Sequence, residues 1–215
     1  MREAILQQIL DQKLIAIVRG LAGEQIVPLA RALLAGGISL IEVTFDQADP
    51  ASFMRTAQAI SAIREACGEA VSPGAGTVMT TQQLRMARDA GAGFIISPNA
   101  DAAVIAETRA MGLVSLPGCM TPTECAAAHS CGADFIKIFP AGVLGPDYIR
   151  ALKAPLCHLR FLAVGGVDVS NIPEFLRAGA VGFGVGGSLV DQKLIAAGRF
   201  SEITELAGAY VKACG

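Results

Sequence analysis

A lysine stands inside an apolar run in the second half of the chain. Lys137 lies within "ADFIKIFPAG" (133–142), with phenylalanine and isoleucine on both sides. Loss of water disfavours the charged form of an amine, and a neutral amine is a nucleophile that can form a Schiff base with a carbonyl carbon. The alternative is that the lysine stem covers apolar surface while its amine reaches water.

A carboxylate lies in a similar setting. Glu42 is the acid of "LIEVTF" (40–45), where a side chain facing solvent is not expected. If Glu42 and Lys137 face a common opening, the carboxylate can serve as a general base, directly or through one water. The alternative is a structural ion pair that ties two strands together.

The surrounding pattern predicts the elements that hold these residues. Short β-branched apolar runs alternate with longer segments of helical period, which predicts a parallel sheet covered by helices. The predicted strands are 14–18, 40–44, 71–75, 94–97, 113–116, 135–138, 161–164 and 182–185. The predicted helices are 24–35, 50–67, 80–91, 101–111, 121–131, 146–153, 170–179 and 200–213. Eight such units predict an α/β fold, a (β/α)8 TIM barrel forming one domain over residues 1–215. An open doubly wound sheet is the alternative.

In such barrels the chemistry lies at the carboxyl ends of the strands. Lys137 and Glu42 occupy the ends of the sixth and second predicted strands. Double glycines follow the seventh and eighth, in "AVGGV" and "GVGGSL", and we expect the second to open a short helix. Backbone N–H groups in these two loops commonly bind phosphate. The alternative is that the glycines serve tight turns.

Composition narrows the function classes. The 215 residues carry a net charge of −2, with two tyrosines and no tryptophan, which does not indicate nucleic-acid binding. The N-terminal apolar run is interrupted by charges, so we expect neither a signal peptide nor a membrane span. Six cysteines without a CxxC pair indicate reduced thiols in a cytoplasmic protein. Two histidines outside any ligand-spaced cluster indicate no metal site.

Several motifs together resemble the 2-keto-3-deoxy-6-phosphogluconate and 4-hydroxy-2-oxoglutarate aldolases, whose relatives include a 6-phosphogalactonate branch. The motifs are "EVTF", "GAGT", "ISPN", "LPGCMTPTE", "KIFPAG", "GPDYIRALK" and "AVGG…GVGGSLV", in order over roughly 14–190. The resemblance implies a class I aldolase without a cofactor, in which Lys137 forms the Schiff base and Glu42 moves protons. It implies that pyruvate binds against Thr77, Pro98 and Phe139, and that the phosphate of a phosphorylated keto acid binds to Gly165, Gly166, Gly187 and Ser188. It also implies a homotrimer.

Two departures bear on the substrate. Many gluconate-type members carry an arginine shortly after the EVT motif, where this chain reads Phe45-Asp46-Gln47. They also carry threonine where this chain has Val164. "VGG" and "IVRG" are similar to the galactonate branch, in which Arg19 would supply the cation; its alternative is a surface arginine that closes a turn. We therefore favour the galactonate epimer.

Three other functions remain open at this stage. One is cleavage of 4-hydroxy-2-oxoglutarate to pyruvate and glyoxylate, and another is a barrel that binds phospho-sugars without catalysis. A metal-dependent phosphopentose epimerase would share the phosphate site, but it requires histidines at strand ends. The predicted positions of His129, in a helix, and His158, before the seventh strand, disfavour that function.

Overall fold

The computed structural model describes residues 2–21 and 23–215. Its strands are β1 Leu14–Val18, β2 Leu40–Thr44, β3 Ser72–Gly76, β4 Phe94–Ile96, β5 Val114–Leu116, β6 Gly118–Cys119, β7 Ile136–Ile138, β8 Phe161–Val164 and β9 Ala180–Val185. Its α-helices are α1 Arg2–Gln12, α2 Ile26–Ala35, α3 Phe53–Cys67, α4 Thr81–Asp89, α5 Ala102–Ala110, α6 Pro122–Ser130, α7 Ala141–Leu144, α8 Pro146–Lys153, α9 Ile172–Ala178, α10 Gln192–Ala196 and α11 Phe200–Cys214. Short 3-10 turns span Gly23–Gln25, Pro50–Ser52 and Gly68–Ala70.

All strand pairs are parallel, and the sheet order is β5-β4-β3-β2-β1-β9-β8-β7-β6. The two edges of this order, β5 and β6, are consecutive in the chain and separated only by Pro117, which has no N–H to donate. They act as one interrupted stave, since β5 pairs with β4 while β6 pairs with β7. The predicted (β/α)8 barrel is therefore confirmed, and its fifth strand is divided by a proline.

Helices α4, α5, α6, α8 and α11 begin at or within one residue of the predicted starts, whereas α2, α3 and α9 begin two or three residues later. The hydroxyl of Thr80 accepts a hydrogen bond from the N–H of Gln83, and Thr121 forms a reciprocal capping box with Glu124. Glycine follows each of four helices in the left-handed region, at Gly37, Gly91, Gly132 and Gly179, with φ between 94° and 105°. These local signals fix where each helix ends and the chain turns toward the next strand.

An N-terminal helix that we did not predict closes the bottom of the barrel. Ile5 and Ile9 of α1 are buried in one cluster with Ile15, Phe94 and other residues that fill the barrel. The contact is close, because a Cβ at Gly93 would lie 2.2 Å from Cδ1 of Ile5. A second, larger cluster lies between the sheet and the outer helices. The interior is thus packed from its amino-terminal end, which leaves the carboxyl-terminal mouth as the open end.

Candidate active site

Lys137 lies in β7, in register with Gly118 and Leu162 of the neighbouring strands. Its side chain is buried, and its Nζ lies 4.9 Å from the centroid of the Phe139 ring. Burial lowers the pKa of Lys137 below the ordinary lysine value; the carboxylate of Glu42 opposes this shift and the charge of Arg19 adds to it. The environment therefore favours the neutral amine that a nucleophilic role requires.

Glu42 lies in β2, paired with Ile17 of β1 and Gly74 of β3, and is 1% exposed. Among the described residues its Oε2 atom has no hydrogen-bond partner, although it is fully buried. Burial raises the pKa of Glu42, and the positive charges of Lys137 and Arg19 oppose that shift. A buried carboxylate oxygen without a partner is unusual, because the lost hydration is not replaced.

A glycine makes room for this carboxylate. A Cβ on Gly76, the last residue of β3, would lie 1.7 Å from Oε1 of Glu42. No larger residue fits there without moving the acid. The "GAGT" motif therefore has a steric role beside Glu42 that is not apparent from the sequence.

Lys137 and Glu42 influence each other electrostatically but are not in contact. Within residues 2–21 and 23–215, neither forms an ion pair at 4.0 Å or less. A buried pair that only ties strands together is stable when its charges are matched and hydrogen-bonded. Among the described residues, the pair lacks both the direct ion pair and the fully satisfied hydrogen bonds of such a structural pair.

A pocket of about 340 Å³ opens on the β8 and β9 side of the mouth. It brings together seven of the residues selected from the sequence: Arg19, Phe139, Val164, Gly165, Gly166, Gly187 and Ser188. Ile17 and Gly184 form part of its floor. Arg19 is exposed just after β1 and lines the pocket, where the resemblance implied a cation; the alternative was a surface arginine that closes a turn.

Glycine is required on the Gly165–Gly166 side of this pocket, whereas a larger residue would fit at Gly187. Gly165 and Gly166 have φ of 83° and 76°, and a Cβ on Gly166 would lie 2.9 Å from Cα of Gly142. By contrast, a Cβ on Gly187 would meet no atom within 4 Å. The short helix expected at "GVGGSL" was wrong: Gly186 accepts from the N–H groups of Leu189 and Val190 in a single turn, and α10 begins only at Gln192.

Thr77 and Pro98 are not part of that pocket's lining. They follow β3 and β4, on the same side of the mouth as Glu42. Thr77 adopts a left-handed φ of 54°, which is uncommon for a β-branched residue.

A glutamine pair missed by the sequence analysis holds the Thr77 segment. The Nε2 of Gln47 donates to the carbonyl of Thr77 at 2.8 Å, and the buried Gln83 donates to Oε1 of Gln47 at 3.0 Å. Gln83 also accepts from the N–H of Met79. The Thr80-x-x-Gln83 spacing is that of a capping box, but no sequence signal indicated that Gln83 would reach across to Gln47.

Asp168 is a second residue that the sequence analysis missed. It lines the pocket beside Gly166, and its carboxylate accepts from the backbone N–H of Ser170 at 2.8 Å and from its hydroxyl. These bonds lower the pKa of Asp168, the hydroxyl of Ser170 contributing most. The carboxylate is thereby directed toward the start of α9, and Arg19 supplies the opposing charge in the pocket.

Three further features of the described residues concern metal ligands, cysteines and membrane-spanning helices. Within it, no group of three or more His, Cys, Asp or Glu side chains is arranged to hold a metal ion. All six cysteines are free. No helix among the described residues combines the length and apolarity needed to cross a membrane.

The fold and the mouth together define a class: a (β/α)8 barrel with a buried amine, a buried unpaired carboxylate and a glycine-walled pocket at the carboxyl ends of its strands. Comparison with known proteins specifies it further. The family model "KDPG and KHG aldolase" matches residues 5–206.

Named relatives and a solved structure agree with that match. The chain is 39% identical to a probable 2-dehydro-3-deoxy-6-phosphogalactonate aldolase of Rhizobium meliloti, covering 84% of this chain and 82% of the relative. It is 40% identical to a 2-dehydro-3-deoxy-phosphogluconate aldolase of Treponema pallidum, covering 85% and 84%. A KDPG aldolase structure from Legionella pneumophila, with pyruvate captured as a covalent carbinolamine, superposes with a TM-score of 0.83 at 28% identity, over 93% and 94% of the two chains. The chain belongs to the KDPG and KHG aldolase family.

Proposed function

We propose that this protein is a class I aldolase that cleaves a 2-keto-3-deoxy-6-phospho sugar acid to pyruvate and glyceraldehyde 3-phosphate. The observation that carries the proposal is the buried amine of Lys137 near the buried, unpaired Oε2 of Glu42. Membership of an aldolase family supports it.

The chemistry follows from these two groups. The neutral amine of Lys137 adds to the C2 carbonyl of the substrate, and loss of water from the carbinolamine leaves a protonated imine. Glu42 takes the proton of the C4 hydroxyl, the C3–C4 bond breaks, and its electron pair is delocalised into the imine as an enamine. Protonation at C3 and hydrolysis release pyruvate and restore the amine. Phe139, Thr77 and Pro98 are proposed to enclose the pyruvate part.

The glycine-walled pocket is proposed to bind the phosphate. The Gly165–Gly166 and Gly187–Ser188 segments line this pocket together with Arg19, which contributes a positive charge. Asp168 also lines it, with its carboxylate hydrogen-bonded to Ser170. Such amide-rich loops after the last two barrel strands are suited to a phosphate dianion.

Reductive trapping tests the proposal. Borohydride with pyruvate should leave a stable adduct on Lys137, located by peptide mass spectrometry. Lys137→Arg should fold, form no adduct and have no retro-aldol activity, because a guanidinium stays protonated. Lys212→Arg, a change at an exposed helical lysine, is the matched control and should behave as wild type. Absence of any adduct would favour a non-catalytic barrel, and an adduct at another lysine would reject the assigned role.

The substrate epimer is a finer part of the proposal, and we propose the galactonate type. Identity does not separate the two, since the chain is 39% identical to a galactonate-type and 40% identical to a gluconate-type relative. The proposal depends on Val164, which is buried at the end of β8 and lines the pocket without a hydrogen-bonding group. A lost partner for a polar substrate group costs about 1–3 kcal/mol, and about 1.4 kcal/mol is tenfold. Val164→Thr should therefore move the ratio of kcat/KM values toward the gluconate epimer; an unmoved ratio would make Val164 a packing residue.

We also propose a cytoplasmic homotrimer of a single-domain chain. Six free cysteines suit a reducing compartment. Exposed apolar side chains follow several strands around the mouth, namely Met79, Met120, Val143 and Val169, and these offer a surface for a second copy. Light scattering coupled to gel filtration measures the assembly, and a monomer mass would reject the trimer.

A further inference from the structure

A second charged pocket lies at the opposite end of the barrel from the candidate active site. Its volume is about 240 Å³, and it is lined by residues that precede β7 and β8 or end α5 and α6. The residues that matter for its charge are Arg109, His129, Asp134, His158 and Arg160. The strands run away from this face toward the mouth, so the two pockets are separated by the length of the barrel.

The carboxylate in this pocket is already engaged. Asp134 forms an ion pair with Arg2, which does not line the pocket, and its Oδ2 accepts from the N–H of Ser115 at 3.0 Å. Its side chain is 5% exposed. Arg109 lies 3.6 Å from the same carboxylate, which it shares with Arg2. Arg2 is outside the pocket lining and also pairs with Glu3, so it adds no net charge there. Within the lining, Asp134 offsets the charge of Arg109.

Arg160 adds a positive charge to the lining. Within the described residues it has no carboxylate at 4.0 Å or less, and its guanidinium carbon lies 5.7 Å from the centroid of the Phe135 ring. The residue is exposed and stands just before β8. Its charge is therefore available to a ligand.

The two histidines of the chain meet in this pocket. The ring centroids of His129 and His158 are 5.2 Å apart at an interplanar angle of 67°. Cations in the last turn of a helix complement the helix dipole, which accounts for Arg109 and His129. It does not account for His158 and Arg160, which belong to the turn segment before β8. Groups from three separate segments thus converge on one cavity.

We propose that this pocket is a second anion site, which binds a small ligand bearing a phosphate dianion. Guanidinium groups present planar forks of donors that match phosphate oxygens, and the imidazole N–H groups add further donors. A divalent cation is disfavoured, because two arginines face the cavity. The volume accommodates a phosphate group with a few carbon atoms, whether inorganic phosphate or a small phosphate monoester.

The histidines provide a direct test, because the candidate active site contains none. The two ring Cε1–H signals of the full-length protein are followed by NMR as inorganic phosphate, and separately glycerol 3-phosphate, is added at constant ionic strength. Both signals should move along one saturable curve. Tighter binding of glycerol 3-phosphate would identify the monoester as the ligand, and equal binding would identify phosphate alone; either supports the site.

Variants separate this pocket from other effects. Arg160→Gln and Arg109→Gln should each weaken the apparent affinity about tenfold, which corresponds to about 1.4 kcal/mol. Arg55→Gln, at an exposed position on α3, is the control and should leave the curve unchanged. Gly187→Asp should also leave it unchanged, because the proposed phosphate pocket at the mouth is a different site. A linear shift reproduced by chloride, or an unaltered affinity in Arg160→Gln, would overturn the proposal.

Discussion

At the scale of single residues, the arrangement of Lys137 and Glu42 is more typical of an active site than of a structural ion pair. Both groups are buried, yet within residues 2–21 and 23–215 they form no ion pair at 4.0 Å or less, and one carboxylate oxygen has no partner there. Structural pairs gain stability only when their remaining hydrogen bonds are satisfied. Loss of hydration is the first cause of both pKa shifts, and it moves each group toward its neutral form.

Glu42→Gln tests the acid. We expect kcat to fall by about 10²–10⁴-fold, the usual contribution of general acid–base catalysis, with little change in KM and no loss of folding stability. Steady-state kinetics and thermal unfolding measure both. Glu107→Gln on α5 is the control for the same chemical change outside the site. An unchanged kcat with a large loss of stability would instead indicate a structural ion pair.

Substitution of Arg19 tests how its charge influences the pKa values of Lys137 and Glu42. Its positive charge lowers the pKa of both Lys137 and Glu42, so its removal raises both. The free amine and the ionised carboxylate then form at higher pH. In Arg19→Gln the acid limb of the kcat/KM profile should therefore move to higher pH, whereas Arg19→Lys should keep it in place. An unmoved limb in Arg19→Gln would show that Arg19 acts only in binding.

At the scale of elements, the sequence predicted the alternation of strands and helices but not how loops from different strands contact one another. Lys137 and Glu42 were identified because a charge within an apolar run is a local signal. The division of β5 from β6 was missed, because "LVSLPG" contains a proline whose effect depends on the pairing of both neighbours. Helix α1 was missed because charges interrupt its apolar run, and only the barrel bottom shows what Ile5 and Ile9 cover.

The close approach of Gly76 in β3 to Glu42 in β2 leads to a prediction. Gly76→Ala should displace the Glu42 carboxylate, since the new Cβ would fall 1.7 Å from its Oε1. Misplacement of a reacting group by about 1 Å costs on the order of 100-fold in rate, so kcat should fall by about that factor. Gly208→Ala on α11, where a Cβ meets nothing within 4 Å, is the control. Wild-type activity in Gly76→Ala would show that the carboxylate position is unimportant.

The hydrogen bond between Gln47, after β2, and Thr77, after β3, leads to a further prediction. Gln47→Ala removes the hydrogen bond to the Thr77 carbonyl, a loss of about 1 kcal/mol, or roughly fivefold. We expect this as a decrease in kcat/KM, with a loss of stability of about 1–3 kcal/mol because the buried Nε2 of Gln83 loses its acceptor on Gln47. Gln58→Ala, another exposed glutamine on α3, is the control. Equal kinetics in both variants would mean that Thr77 holds its conformation without the bridge.

At the scale of the whole molecule, the candidate site spans the mouth of the barrel. Glu42 lies on the β2–β3 side, Lys137 lies on β7, and the glycine-walled pocket lies between β8 and β9. Substrates of different length would therefore use different parts of the mouth. Under the proposed function, a short keto acid would need only the amine and the carboxylate, whereas a phosphorylated sugar acid would also use the glycine-walled pocket.

Gly187→Asp separates these two parts. The side chain fits, because a Cβ at Gly187 meets no atom within 4 Å. Repulsion of about 1–4 kcal/mol between like charges about 4 Å apart should raise KM for the phosphorylated substrate roughly tenfold or more. KM for 4-hydroxy-2-oxoglutarate should stay near the wild-type value. Gly187→Asn is the matched control for shape without charge. Equal effects on both substrates would assign the glycine to a turn only.

The unpaired oxygen of Glu42 also has a consequence for the lifetime of the protein in a cell. Among the described residues, no group donates a hydrogen bond to this buried oxygen, and a bound substrate hydroxyl can donate one. A ligand that binds only the folded chain shifts the folding equilibrium toward it. Unfolded chains are continuously removed by proteases, so their fraction influences abundance. Substrate binding would therefore lower the unfolded fraction and, with it, the rate at which the chain is degraded.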